Sequence, residues 1–266
     1  MDLGLSGRTA LVTASFRGTG RGIARVLAAE GARVIVHGFD PDSAEAVAAE
    51  LRANGGDARA VAGDLLSDAG ADALAAEVGP VDVLVANYGV AEGGSWFGAD
   101  TDEVAWFDAY NKNVVSAVRV VRRFVEPMRA AGQGRIILVG TVGSLRPGTR
   151  QPQYYAAKGA LPAMVTSLAK ELAGTGITVN LVSPGIIATD EIRARFTARA
   201  ERLGRPTDWE SVQRLVFEEF MDVPTGRIPE PEDVGRVVAF LAGATGAFVH
   251  GANWRVDGGT GDAVTP

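Results

Sequence analysis

The chain has no cysteine in its 266 residues. Disulfides, thiolate nucleophiles and cysteine-held metals are therefore excluded. Histidine is almost as scarce, with only His37 and His250, so a zinc site built on imidazoles is not expected and no metal is assigned. Long apolar runs are missing: none approaches the roughly 20 residues that a membrane-spanning helix needs. The opening Met1-Asp2-Leu3-Gly4-Leu5 lacks the basic start of a signal peptide. The expectation is a cytoplasmic protein with no membrane partner. Clustered positive charge is also lacking. No basic run exceeds Arg122-Arg123 and the net charge is −6, which argues against a nucleic-acid partner.

What the chain does have is apolar material, 47% of its residues, enough to bury the core of one large domain spanning 1–266. Short β-branched runs at 9–13, 33–36, 58–62, 83–86, 135–139, 178–182 and 253–256 read as strands. Between them, residues 21–30, 42–53, 68–78, 104–131, 154–173 and 230–242 repeat apolar side chains three and four apart, as helices do. Strands alternating with helices predict a parallel sheet of about seven strands covered on both faces, a doubly wound three-layer α/β/α domain. In such sheets ligands bind beyond the carboxyl ends of the strands, where the strand order reverses. Residues 188–226 break the rhythm with a long insertion carrying Phe196, Trp209, Phe217, Phe220 and Met221. It reads either as a loop closing over a ligand or as a surface helical pair packing its own aromatics.

After the first strand, Thr13-Ala14-Ser15-Phe16-Arg17-Gly18-Thr19-Gly20 leads into a helix. Glycines there let the backbone approach a pyrophosphate, whose charge meets the helix N-terminus. The second strand ends in Val36-His37-Gly38-Phe39, without the carboxylate that would accept from a ribose 2′-hydroxyl; Asp40 follows two residues past Gly38. Arg17 can instead pair with a 2′-phosphate. NADP(H) is therefore favoured, with NAD(H) as the alternative.

Tyr154 and Lys158 stand four residues apart in a helical run, Tyr154-Tyr155-Ala156-Ala157-Lys158, so they share a helix face while Tyr155 looks elsewhere. A phenol titrates near 10 when free. A neighbouring ammonium, together with oxidised nicotinamide, is expected to lower that value and suit the phenol for proton transfer. Upstream, Gly140-Thr141-Val142-Gly143-Ser144 closes a buried strand. Either Thr141 or Ser144 has the hydroxyl to polarise a substrate carbonyl. Arg146 and Arg150 read as solvated surface arginines or as a greeting for an anionic substrate.

Taken together these residues resemble the short-chain dehydrogenase/reductase family over nearly the whole chain, and within it the 3-oxoacyl-thioester reductases. The resemblance implies a Rossmann-type fold and hydride transfer between NADP(H) and a carbonyl or secondary alcohol. Thr13, Ser15, Arg17, Gly18, Thr19 and Gly20 match the family's glycine turn. Asp64 and Leu65 match its adenine pocket, and Ala86-Asn87-Tyr88-Gly89 its motif after strand four. Asn113, chosen over Asn111 by spacing, Thr141, Tyr154 and Lys158 match its catalytic tetrad. Pro184, Gly185, Ile187 and Thr189 match the segment that holds the carboxamide. By that resemblance Thr141 positions the substrate oxygen, Tyr154 exchanges the proton and Lys158 lowers the tyrosine pKa and holds the ribose. Asn113 anchors a relay water, and assembly is a homotetramer or homodimer through the helices of Asn113 and Tyr154. Three departures stand out. Ala14 replaces a glycine, Thr141 the usual serine, and Tyr88 a small residue, its ring either filling core or lining the pocket. Rival readings are a non-catalytic NADP(H)-binding sensor, a dehydrogenase of sugars, steroids or other secondary alcohols, and a dehalogenase on the same fold; the retained Tyr154 and Lys158 weigh against the first, and Lys158 with Gly18 and Gly20 against the last.

Overall fold

A computed structural model describes residues 2–261; the first residue and last five of the expected 1–266 domain lie outside the described residues. Seven parallel strands form one sheet in the order β3-β2-β1-β4-β5-β6-β7. They run β1 Thr9–Val12, β2 Arg33–Gly38, β3 Asp57–Ala62, β4 Val83–Ala86, β5 Gly134–Val139, β6 Ile177–Pro184 and β7 Asn253–Val256. All seven expected strands are present. The order reverses beside β1, whose neighbours are β2 and β4, so a crevice opens at the carboxyl ends of β1 and β4.

Side chains on the two sheet faces alternate, and each face has its own core. On one, Val12, Val34, Val36, Val83, Val85 and Ile137 pack with Ile23, Leu27, Val234 and Val238 from α1 Gly18–Ala29 and α10 Pro231–Ala242. Gly22 and Gly235 let these two helices touch: a Cβ on Gly22 would stand 2.3 Å from Pro231 Cβ, and one on Gly235 2.9 Å from the Gly22 carbonyl oxygen. On the other face, Leu11, Ile35, Leu84, Ile136, Leu138 and Val179 pack with Leu74, Phe124, Met128 and Val165. Those come from α3 Asp68–Val78, α5 Ser116–Ala131 and α7 Leu161–Glu171. α2 Pro41–Ala53 completes the first face, through Ala44, Val47 and Leu51.

Two helices expected to be continuous are broken. The 104–131 run divides into α4 Glu103–Tyr110, a single π-turn at Asn111–Val115, and α5. The 154–173 run divides into α6 Pro152–Gly159 and α7, with Pro162 at the start of the second piece; proline lacks the N–H that a helix interior needs. The first helix starts at Gly18 and not at Arg21, because nothing in Gly18-Thr19-Gly20 forbids helical backbone once Arg17 ends the turn.

The insertion folds as α8 Asp190–Arg202 and α9 Trp209–Glu219. Phe196, Ala200, Val212, Leu215, Val216 and Ile228 form a third small core, flanked by Trp209, Phe217 and Met221. The helical pair therefore does pack its own aromatics. Glu191, Ile192 and Arg195 of α8, together with Met221, also line the crevice.

Candidate active site

The crevice holds about 660 Å³, within the usual range of a small-molecule or cofactor site. Its walls come from the glycine turn, Asn87–Ala91 after β4, the end of β5, α6, the segment 184–189 after β6, and α8 with Met221.

At the glycine turn Ala14 takes φ +50° and Gly18 φ +53°. Left-handed backbone costs an alanine about 1 kcal/mol that glycine does not incur. The turn is held by His37: its Nδ1 accepts from the Ala14 amide at 3.0 Å, and its Nε2 faces the Gly63 carbonyl at 3.1 Å. That pairing assigns the hydrogen to Nε2. Burial pushes His37 down to about 4, so it is the neutral acceptor the turn requires. Thr13 and Ser15 sit behind the turn. Thr13 Oγ1 accepts from the amides of Asn87 and Tyr88 at 2.9 and 3.2 Å, and Ser15 Oγ donates to Val12 and accepts from the His37 amide. Their side chains brace the loop and do not line the crevice.

Asn87 Nδ2 donates to the carbonyls of Thr13 and Ala14. Gly20 leaves no room for more: a Cβ there would stand 2.5 Å from the Ala14 oxygen. Helix α1 has no side-chain cap and no acid in its first turn, whereas Asp40, Ser67, Asp102, Thr189 and Asp208 cap α2, α3, α4, α8 and α9. Free amides, a positive dipole end and a glycine cradle fit a phosphate. Arg17 projects from the same turn with its side chain 65% exposed, and its guanidinium lies 3.4 Å from Glu191 of α8.

Tyr88 stands where the family resemblance has a small residue, and it belongs to a cluster of rings beside the glycine turn. Phe39 meets His37 and Tyr88 edge-on, with centroids 5.6 and 4.9 Å away. Tyr88 lines the crevice and also packs on the second core, and burial pushes its phenol up. Asp64 turns its carboxylate to the Leu66 amide and the Ser67 hydroxyl, and Leu65 is buried in the core. Neither of these two side chains lines the crevice.

At the other end, the π-turn presents Asn113. Its Oδ1 accepts from the Val90 amide, and its Nδ2 donates to the carbonyls of Val90 and Ala109, each at 3.0 Å. Asn111 is engaged elsewhere, by Leu66 and Arg119. Gly89 keeps Asn113 and Lys158 close: a Cβ on it would lie 2.6 Å from both Asn113 Oδ1 and Lys158 Nζ.

Thr141 lines the crevice, and its Oγ1 accepts from the Gly143 amide at 3.1 Å. Ser144 Oγ donates to the Thr141 carbonyl at 2.8 Å, so its hydroxyl is committed to its own turn. Of the two hydroxyls the sequence left open, Thr141 is the one that faces the crevice. Tyr154 and Lys158 both line it as well, and so does Tyr155, which the helix spacing had turned elsewhere. Burial pushes Tyr154 up to about 12, against a hydrogen bond with Thr141 that pulls the other way. Burial also brings Lys158 down to about 8. The expectation rested on the ammonium together with oxidised nicotinamide; the protein's own groups alone do not lower the phenol. The ammonium donates instead to the Val139 carbonyl at 2.9 Å, and desolvation dominates the phenol.

Pro184, Gly185, Ile187 and Thr189 line the crevice beyond β6. Thr189 Oγ1 accepts from the Ile192 amide, capping α8. Arg146 donates to the Thr260 carbonyl, and Arg150 bridges to Ser95; neither lines the crevice. Sequence reasoning missed His37, Gln151 and Arg195. Gln151 adopts φ +61° and donates to the Ala91 carbonyl at 2.8 Å, tying α6 to the loop after β4. Only His37 left a signal, as a polar residue at a core position of a strand. Among the described residues no helix is long and apolar enough to cross a membrane.

The profile described as short chain dehydrogenase matches residues 8–200. A 3-oxoacyl-[acyl-carrier-protein] reductase of Escherichia coli is 34% identical over 258 residues, covering 97% of this chain and 98% of that protein. A D-beta-hydroxybutyrate dehydrogenase of Cupriavidus necator is 33% identical over 267 residues, with 96% and 98% covered. Among solved structures, L-sorbose reductase of Gluconobacter frateurii, complexed with NADPH and L-sorbose, superposes with a TM-score of 0.90 at 29% identity, covering 99% of this chain and 100% of that one.

Proposed function

The chain belongs to the short-chain dehydrogenase family, and from that premise we propose that it transfers a hydride between NADP(H) and a carbonyl or secondary alcohol. The observation that carries this reading is the meeting of Thr141, Tyr154 and Lys158 in one crevice with the uncapped N-terminus of α1. The relatives support the cofactor: an Agrobacterium tumefaciens 3-oxoacyl (acyl-carrier-protein) reductase with NADP bound has a TM-score of 0.84 at 32% identity, with 97% and 96% covered.

The first turn of α1, from Gly18, and the cradle at Gly20 would hold the pyrophosphate, with Arg17 on the 2′-phosphate. Lys158 would hold the nicotinamide ribose, and the 184–189 segment the carboxamide. Bound there, the dinucleotide supplies the hydride and, when oxidised, a positive charge. Thr141 orients the substrate oxygen. Tyr154, protonated at neutral pH, gives its hydrogen to that oxygen during reduction. Lys158 keeps positive charge near the phenolate so formed, and Asn113 holds the backbone of Val90 beside it. A homodimer or homotetramer fits the apolar groove between α5 and α7, lined by Val118, Val121, Met164 and Leu168.

The test is NADPH oxidation against ketones, oxo esters, acyl thioesters, sugars and quinones. Turnover of at least one carbonyl class, lost in Tyr154→Phe, is the expected result. Tight NADPH binding with no turnover of any class would favour the sensor reading instead.

A further inference from the structure

Resting on the oxidoreductase reading, we propose that Arg195 selects substrates carrying an anionic group, a carboxylate in the simplest case, held by the guanidinium while the carbonyl lies at Thr141 and Tyr154.

Four charged side chains line the crevice: Arg17, Lys158, Arg195 and Glu191. Arg17 faces Glu191 at 3.4 Å, and Lys158 donates to Val139. Among the described residues Arg195 has neither a carboxylate nor a carbonyl partner. Its neighbours on α8 are engaged: Arg193 pairs with Glu230 and lies over Trp209, and Arg199 pairs with Glu219.

Helix geometry fixes where Arg195 stands. Glu191, Ile192 and Arg195 share the crevice face of α8, while Phe196 and Ala200 turn into the small core shared with α9. Arg195 is one helical turn beyond Glu191, about 6 Å along the axis, and so past the residue that meets the phosphate-binding turn. Its guanidinium carbon lies 4.8 Å from the centre of the Phe196 ring. That contact engages one flat face of the guanidinium and leaves its N–H edge for a planar anion. Arg146 and Arg150, the arginines that sequence offered for an anion, are outside the crevice, so the role passes to the insertion.

A crevice anion has two sources, the substrate and the cofactor's own phosphates, and the experiment separates them. Short 2-, 3- and 4-oxo acids and their methyl esters are assayed by NADPH oxidation, and NADPH affinity is measured by fluorescence. The wild type is expected to prefer acid over ester by about tenfold or more in kcat/KM. Arg195→Gln should erase that ratio through KM for the acids, and Arg195→Lys should restore part of it. NADPH affinity should stay within about twofold of wild type in both. A wild type that prefers the esters, or that reduces only neutral ketones, overturns the proposal. So does an Arg195→Gln protein whose NADPH binding weakens as much as its acid KM, because the guanidinium then serves the cofactor. A wild type that neither binds NADPH nor reduces any carbonyl removes the oxidoreductase reading as well.

Discussion

The Lys158 ammonium donates to the carbonyl of Val139, the last residue of β5, at 2.9 Å. This bond fixes the amine at the floor of the crevice, and its burial keeps the pKa near 8. The protein's own groups leave Tyr154 protonated at neutral pH, the form that suits a proton donor.

Tyr154→Phe is expected to lower kcat by about a thousandfold or more, with NADPH affinity near wild type in a fluorescence titration. Tyr155→Phe should keep most activity. If the second change were the damaging one, the helix face assigned to catalysis would be the wrong one.

Thr141→Ala should reduce kcat/KM by about a hundredfold, the scale of losing one donor to a developing oxyanion. Ser144→Ala should lose far less, since its hydroxyl serves the Thr141 carbonyl. Steady-state kinetics on the two variants decide the order.

Lys158→Met is expected to abolish turnover while raising Tm. Lys158 falls from 10.5 to about 8 because burial penalises the charge. The folded state therefore binds fewer protons than the unfolded state between those values, and stability rises with pH there. Below pH 8 the full penalty applies, so the stabilisation by methionine should be largest at pH 7, on the order of 2 kcal/mol after the lost Val139 bond is set against it. It should shrink as pH climbs from 8 towards 10.5. Calorimetry across that window would reject the idea if the Tm difference grew.

Arg17→Ala should weaken NADPH by about tenfold and NADH little, because only the former has the 2′-phosphate. Equal losses in a paired titration would assign Arg17 to the pyrophosphate.

Ala14→Gly should stabilise the fold by up to about 1 kcal/mol, a Tm rise of a few degrees, since Ala14 has φ +50°. A lower Tm would mean that the methyl group's packing outweighs the backbone strain.

The strands were readable because β-branched runs punctuated by glycine leave little alternative; right-handed crossovers narrow the possible sheet orders without choosing one. Spacing also brought out Thr141, Tyr154 and Lys158, which line one crevice. The break at Asn111–Val115 was not: apolar periodicity continues through 104–131, and one extra residue in a turn changes its phase without changing composition. The pKa of Tyr154 was not readable either, because Tyr-x-x-x-Lys spacing says that two groups share a face and nothing about how deeply each is desolvated. Arg195 was hidden among the other arginines of α8 until the contacts separated paired from unpaired.

The π-turn at Asn111–Val115 has a consequence for the whole helix that carries it. A residue added to one turn advances everything after it by about 100°. The segment upstream and α5 downstream are thus clocked differently, which lets α5 send Val120, Val121, Phe124 and Met128 into the sheet while Asn113 reaches Val90. Removing a single residue from 111–115 would force a choice between those orientations: the amide swings away from the crevice or the greasy stripe of α5 rolls out to water.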